Sequence, residues 1–282
     1  MLDAVLDAIL DTLKLLPFMF AAFLLLEYIE HKLNEKTHSL ILKAGKIGPL
    51  AGGILGAFPQ CGFSAMAAEL YATRVISIGT LVAIFLSTSD EMLIIMLQEP
   101  SLAVNGLKIV LTKLILGIIL GFAVDIIFRK IKKSEDEHIK DFCESEHCHC
   151  EHGIFRSALH HTAKIGLFVF IITLVLSVSL HFLGEDIFAK IMLKGSWLSP
   201  IICSAVGLIP NCAASVAITE LYIAGSITFG SALAGLLSGS GIGMLILFRI
   251  NRPIKQNVLI LLLVFALGAV VGIGCDLLGA TI

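Results

Sequence analysis

Residues 56–97 and residues 207–248 are related by a constant offset of 151, with no gap. Gly56, Pro59, Cys61 and Ser64 match Gly207, Pro210, Cys212 and Ser215. Glu69-Leu70-Tyr71 matches Glu220-Leu221-Tyr222, Gly79 matches Gly230, and Ser87 and Ser89 match Ser238 and Ser240. The register reaches back to Pro49/Pro200 and forward to Gly117/Gly268, Gly121/Gly272 and Asp125/Asp276. Any apolar chain produces chance matches of Leu, Ile and Val. Rare Pro, Cys, Glu and Tyr in fixed register instead mark a duplication. The chain divides into an N-terminal repeat (1–130), a polar loop (131–159) and a C-terminal repeat (160–282).

The repeats must be hidden in lipid. Apolar residues make up 57% of the chain, charged residues 15%, and the mean hydropathy is +0.96. A soluble domain holds about 45–50% apolar and about 25% charged residues. At roughly 20 residues per crossing, the length has room for roughly eight to ten membrane segments. The expected class is an all-α membrane protein. No basic stretch with interleaved aromatics is present, so nucleic acid is not an expected partner. Asp3, Asp7 and Asp11 stand where a signal peptide needs basic residues, so no cleavable signal is expected. The seven cysteines are scattered and do not form a disulfide framework.

Each half shows about five hydrophobic segments. A first span near 13–30 corresponds to 161–182, and a short segment 46–58 corresponds to 197–209. The short segments are interrupted at Pro59-Gln60-Cys61 and Pro210-Asn211-Cys212 and resume at 62–73 and 213–224. Full spans are expected at 77–97 and 106–128, with counterparts at 226–248 and 257–279. The short segments are either re-entrant hairpins or tilted spans. Both choices give an odd number of crossings per half, so the second half is inverted. Charge agrees with this reading under the positive-inside rule. Arg129, Lys130, Lys132, Lys133, Lys140 and Arg156 place the central loop in the cytoplasm. The loop expected at 98–105 carries no Lys or Arg, whereas its counterpart 249–256 carries Arg249, Arg252 and Lys255. Lys190 and Lys194 are exceptions, partly offset by Glu185 and Asp186. The expected setting is a multi-pass cell (inner) membrane protein with both termini outside.

Inverted repeats with interrupted helices bind substrate near the midplane, where the interruptions meet. Gln60 and Asn211 supply amide groups there. Cys61 and Cys212 each precede a new helix, whose positive end favours a thiolate, and two thiolates can grip a soft ion. The alternative for a buried cysteine is a small hydrophobe, which is the reading for Cys203 and Cys275. A second cluster, Ser87-Thr88-Ser89-Asp90-Glu91, places two carboxylates near the middle of the 77–97 span, where acids default to function. The counterparts of Asp90 and Glu91 are Gly241 and Ile242, in a Ser/Gly stretch able to unwind. Ser87, Ser89, Ser238 and Ser240 can add hard oxygen ligands. Glu69 and Glu220 lie about 12 Å beyond their cysteines along a helix, as gate or access acids or as interfacial hydrogen-bonding groups. Asp125 and Asp276 read as span-boundary residues. Lys108 and Lys113 read as lying in the outer half of their span, away from the site.

The central loop packs His138, Cys143, His147, Cys148, His149, Cys150 and His152 into fifteen residues. Such imidazole and thiolate density suits Zn²⁺ or another soft or borderline cation. The spacing matches no standard finger, so the segment reads as a flexible chelating tether. The alternative is a solvated linker.

Gly56-Ala57-Phe58-Pro59-Gln60-Cys61-Gly62-Phe63-Ser64, Ser87 to Glu91, Pro210-Asn211-Cys212-Ala213-Ala214-Ser215 and the His-rich loop together resemble the ten-transmembrane heavy-metal exporter family. Its members carry labels such as arsenic efflux protein or manganese transporter. The resemblance covers nearly the whole chain. It implies efflux of a metal or metalloid, with Cys61, Cys212, Asp90 and Glu91 as the ion-binding residues. Ala213 stands where the first half has Gly62, which makes the second interruption stiffer.

The resulting expectation is a secondary transporter, not an enzyme. It would export Zn, Mn, Co, Cd or arsenite against protons taken up by Asp90 or Glu91. No tightly bound cofactor is expected, and lipid and the ion are the expected partners. There is no P-loop, so any ATP would come through a partner. The alternative is a transporter of a small anion or neutral solute, drawn to helix N-termini at the interruptions. A thiol oxidoreductase using Cys61 and Cys212 is a third class, but the chain lacks Cys-x-x-Cys.

Overall fold

The computed structural model describes residues 47–58, 62–89, 91–98, 100–131, 197–210 and 212–280, with isolated helical positions at 13–24 and 155–175. Among the described residues all regular structure is helical. The first half holds α1 (Gly48–Gly56), α2 (Gly62–Ala72), α3 (Ile78–Ser87), α4 (Glu91–Gln98) and α5 (Pro100–Ile131). The second half holds α6 (Ser199–Gly207), α7 (Cys212–Ile223), α8 (Phe229–Ser238), α9 (Gly243–Ile250) and α10 (Ile254–Leu277). The starts of α1 and α6, and of α3 and α8, are each separated by 151 residues (199 − 48; 229 − 78).

Local chemistry repeats with the bounds. Pro49 and Pro200 sit in the first turns of α1 and α6, where the missing N–H costs nothing. Ser77 caps α3 by accepting from the Thr80 N–H, and Thr228 caps α8 by accepting from the Ser231 N–H, each at 3.1 Å. An acid from the long helix braces each cap. Asp125 of α5 accepts from Ser77 Oγ at 2.7 Å and the Gly79 N–H at 2.8 Å. Asp276 of α10 accepts from Thr228 Oγ1 at 2.8 Å and the Gly230 N–H at 3.0 Å. A carboxylate is well placed there, against the positive end of a helix. Asp125 and Asp276 are therefore bracing groups and more than boundary markers.

Within each half the same helices pack: α3 on α1 and α5, α8 on α6 and α10. Between the halves the packing is reciprocal, with α2 against α9 and α7 against α4, while α3 meets α8. Such an exchange of equivalent partners is what an approximate two-fold relation produces. Leu81, Phe85, Leu86, Leu233 and Leu237, all essentially inaccessible, fill the centre. Leu, Ile and Val side chains on the outer faces of α5 and α10 are exposed, as lipid-facing positions require. Among the described residues, three stretches are long and apolar enough to cross a membrane: Leu102–Phe128, Phe229–Ile250 and Ile254–Leu277. Near the N-terminus, Phe20 meets Phe155 edge to face, with ring centroids 5.2 Å apart.

Two expectations are corrected. Residues 98–105 are not a loop, because α5 already begins at Pro100, with proline at the helix start where it is tolerated. The expected full spans 77–97 and 226–248 are each interrupted: α3 gives way to α4 after Ser87, and α8 to α9 after Ser238. Hydroxyls back-bond to the last turn before each interruption. Ser87 Oγ donates to the carbonyls of Ala83 (2.7 Å) and Ile84 (3.1 Å), and Thr88 Oγ1 donates to Ile84 (2.7 Å). Ser238 Oγ donates to Ala234 at 2.7 Å and Gly235 at 3.3 Å. The Ile84 and Gly235 carbonyls also accept from the Thr88 and Gly239 N–H groups at 3.0 Å each, so the hydroxyls add to the last turn, and such back-bonding favours a bend. Thr88 and Gly239 then leave helical conformation, with ψ of 122° and 83°.

Candidate functional site

Non-helical backbone inside a membrane protein must be buried in protein or line a cavity. Among the described residues, α3 gives way to α4 and α8 to α9 through such backbone, and α1 and α6 end at Gly56 and Gly207. They converge. Gly207, at the end of α6, lies so close to α8 that a Cβ there would stand 2.9 Å from the Gly235 carbonyl carbon and 3.0 Å from Ser238 Oγ. Gly56, at the end of α1, lies in the same way against Ser87 Oγ, with the Ile84 carbonyl oxygen 2.7 Å from a Cβ built there. Across the halves, a Cβ on Gly243 would stand 2.6 Å from the Ser64 carbonyl oxygen. The start of α2, just after Cys61, therefore touches the start of α9, just after the Ser/Gly interruption.

Serine hydroxyls line this region. Ser87, Ser89, Ser238 and Ser240 are all buried. The protons of Ser87 and Ser238 are committed to their own helices, which leaves only their lone pairs for a ligand. Ser89 Oγ lies 3.3 Å from the Ser87 carbonyl, a weak bond. Ser240 Oγ, 1% exposed, has no hydrogen-bond partner among the described residues. Buried hydroxyls normally find one.

The charged groups divide unexpectedly. Lys113 of α5 is 2% exposed, and its Nζ donates to the carbonyls of Thr88 and of Leu236 (2.6 Å for the latter). The sequence reading placed Lys113 in the outer half of its span; the early start of α5 instead brings it near the helix centre and into the convergence. A signal for it existed, since its repeat counterpart is the buried Val264, so the lysine belongs to one half only. Glu69 is 1% exposed and neither carboxylate oxygen has a partner among the described residues, while Glu220 is exposed. Gln60, Cys61, Asp90, Asn211, His147, Cys148, His149, Cys150 and His152 lie outside the described residues, as do the side chains of Glu91 and Cys212. Glu91 opens α4 and Cys212 opens α7. Cys203 is buried in α6 and Cys275 is half-buried in α10.

Carbonyl and hydroxyl oxygens of this kind suit a hard cation. A family model described as "Putative, 10TM heavy-metal exporter" matches residues 1–151 and again residues 128–252. The chain belongs to this family. No curated protein and no solved structure matches it.

For a ten-transmembrane heavy-metal exporter, the long apolar stretches supply only part of the crossings. The short helices can supply others by lying end to end. Residues 78–98, which hold α3 and α4, have the length of one crossing at roughly 20 residues. A crossing built as two half-helices exposes helix ends in the membrane interior, and those ends are polar.

Proposed function

We propose that this exporter is a secondary transporter that carries a heavy-metal cation or metalloid out of the cytoplasm in exchange for protons. Its site lies where the interruptions of two inverted halves meet. The observation that carries the reading is the approach of Gly243 to Ser64, which joins an interruption from one half to an interruption from the other. The reciprocal packing of α2 with α9 and of α7 with α4 supports a two-fold relation. The opposite charge of the matching segments 98–105 and 249–256 supports inversion.

In this reading Cys61 and Cys212 supply soft ligands, and Asp90 and Glu91 supply charge. Gln60, Asn211, Ser87, Ser89, Ser238 and Ser240 supply neutral oxygens. The cytoplasmic His147-Cys148-His149-Cys150 run, with His152, captures the ion before it enters. Glu69 and Glu220 act on the access path. Rocking of the halves then alternates access to a fixed site.

A second reading, transport of a small anion, is favoured by one observation: Lys113 is a buried basic residue at the convergence. Its amino group, however, is turned onto two carbonyl oxygens at helix C-terminal ends. These ends carry partial negative charge that the ammonium offsets, which weakens its pull on an anion.

The test is flux of Zn²⁺, Mn²⁺, Co²⁺, Cd²⁺ and arsenite in proteoliposomes. Wild type is measured beside Cys61→Ser/Cys212→Ser and Asp90→Asn/Glu91→Gln. The expected result is flux of one ion that both double variants abolish and that a pH gradient drives. Absence of flux for every ion, in protein shown to be folded and oriented, overturns the metal reading in favour of an anion or neutral solute.

A further inference from the structure

α3 and α8 each end inside the protein, and each leaves a carbonyl that its own helix does not use. In α8 the Ser240 N–H, which would continue the helix by bonding to Leu236, turns back to the Ser238 carbonyl at 2.8 Å. The Leu236 carbonyl is thereby released. In α3 the Thr88 N–H still closes the last turn on Ile84 at 3.0 Å. The ψ of 122° at Thr88 then swings its own carbonyl out of the helical direction. The two carbonyls belong to different halves, and a single nitrogen, Lys113 Nζ, bonds to both.

α1, α3 and α8, three of the helices packed against α5, carry no titratable residue. Among the described helices packed on it, α4 carries Glu91, which Asp90 precedes. On α5 itself the charged residues are Lys108, Asp125, Arg129 and Lys130, and Asp125 is occupied at the α3 cap. Two half-helix C-termini with their partial negative charges aimed at one point form the kind of site that binds a monovalent cation in transporters with broken helices.

We propose that the C-terminal ends of α3 and α8 form one monovalent-cation site between the halves, and that the chain fills it permanently with its own Lys113 ammonium. The tethered cation clasps the halves together at the point where their helices are interrupted. The second half has no such clasp, because Val264 stands at the counterpart of Lys113. The proposal concerns the clasp alone and does not depend on which solute is carried.

The test is rescue by the deleted fragment. Lys113→Ala removes the equivalent of n-propylammonium and leaves its space empty; Lys113→Met fills the stem's space without the charge. Melting is followed for purified wild type, Lys113→Ala and Lys113→Met, with n-propylammonium, 1-propanol or n-propyltrimethylammonium added. The expected result is a melting temperature lower by roughly 5 °C or more for both variants, since two buried carbonyls lose their donor. Millimolar n-propylammonium should restore Lys113→Ala only, and neither 1-propanol nor the trimethyl compound, which has no N–H to donate, should do so. The proposal is overturned if Lys113→Ala melts like wild type, if n-propylammonium leaves it unchanged, or if all three proteins respond equally. Should Lys113→Ala not fold alone, it is prepared in n-propylammonium. Folded protein that unfolds on dialysis supports the site, and no folded protein with or without the amine overturns it. Because melting is read without any transported ion, failure here leaves the flux result untouched, and the reverse holds.

Discussion

Glu69 and Glu220 hold the same place in the two halves, 151 residues apart, yet Glu69 is 1% exposed while Glu220 lies on the surface. The difference shows that two similar sequences have been put to unequal use. Neither oxygen of Glu69 has a partner among the described residues. A buried polar group without a partner costs about 1–3 kcal/mol. Glu69→Met keeps the volume and removes both oxygens, so it should raise the melting temperature by roughly 3 °C or more. Glu220→Met should change stability by no more than about 0.5 kcal/mol. If Glu69 is retained for transport at the expense of stability, metal flux should fall in Glu69→Met and persist in Glu220→Met. A lowered melting temperature in Glu69→Met would show that the carboxyl is satisfied and structural.

Three glycines separate three physical causes. Gly243 is kept by space: a Cβ there would lie 2.6 Å and 2.7 Å from the backbone oxygen and carbon of Ser64, which cannot swing away. Gly243→Ala should cost about 1–3 kcal/mol by forcing α9 from α2. Gly225 is kept by conformation. Its φ is +65°, nothing lies within 4 Å of a Cβ there, and Gly225→Ala should cost about 1 kcal/mol. The first half tolerates Arg74 in the equivalent place at φ 62°, with its guanidinium bonded to Gln256 Oε1 at 3.0 Å and set over the Tyr71 ring. Gly274 lies in α10 with nothing within 4 Å of a Cβ. Gly274→Ala should therefore gain roughly 0.5–1 kcal/mol from helix propensity. Thermal unfolding should rank them Gly274→Ala, wild type, Gly225→Ala, Gly243→Ala, from most to least stable. A Gly243→Ala protein as stable as wild type would mean that the halves do not meet at this point.

The helix pattern was legible where rare residues mark it. Pro49 and Pro200 announced α1 and α6, and the caps Ser77 and Thr228 sit at the matching offset. The interruption after Ser238 was legible only as a Ser/Gly stretch able to unwind, and the one after Ser87 was not, because an apolar run reads the same whether its helix is continuous or broken. At each break hydroxyls back-bond to the last turn, a local feature that periodicity does not record. Lys113 was misplaced for a different reason. Reading Pro100 as part of a loop moved the start of the span, and a shift of a few residues changes a lysine from interfacial to central. Ser240 and Glu69 were legible as candidates from the repeat alone, but their burial without partners depends on how α2 and α9 pack. The roles of Cys61, Cys212, Asp90, Glu91 and the chelating loop rest on residue chemistry and on the family.

The capture role proposed for His147 to His152 differs in kind from the binding role proposed for Cys61 and Cys212. A flexible tether that captures metal raises its local concentration at the entrance and leaves the crossing step alone. Replacing His147, Cys148, His149, Cys150 and His152 together by serine should therefore raise the metal concentration giving half-maximal flux. The maximal rate should stay within about twofold of wild type, because a change in KM without one in kcat is the signature of lost capture. Cys61→Ser/Cys212→Ser should instead lose the maximal rate. Chelating free metal to a low buffered level should magnify the loop effect, and saturating metal should erase it. A loop variant that loses maximal rate at saturating metal would make these residues part of the crossing step itself, and the tether reading would have to be abandoned.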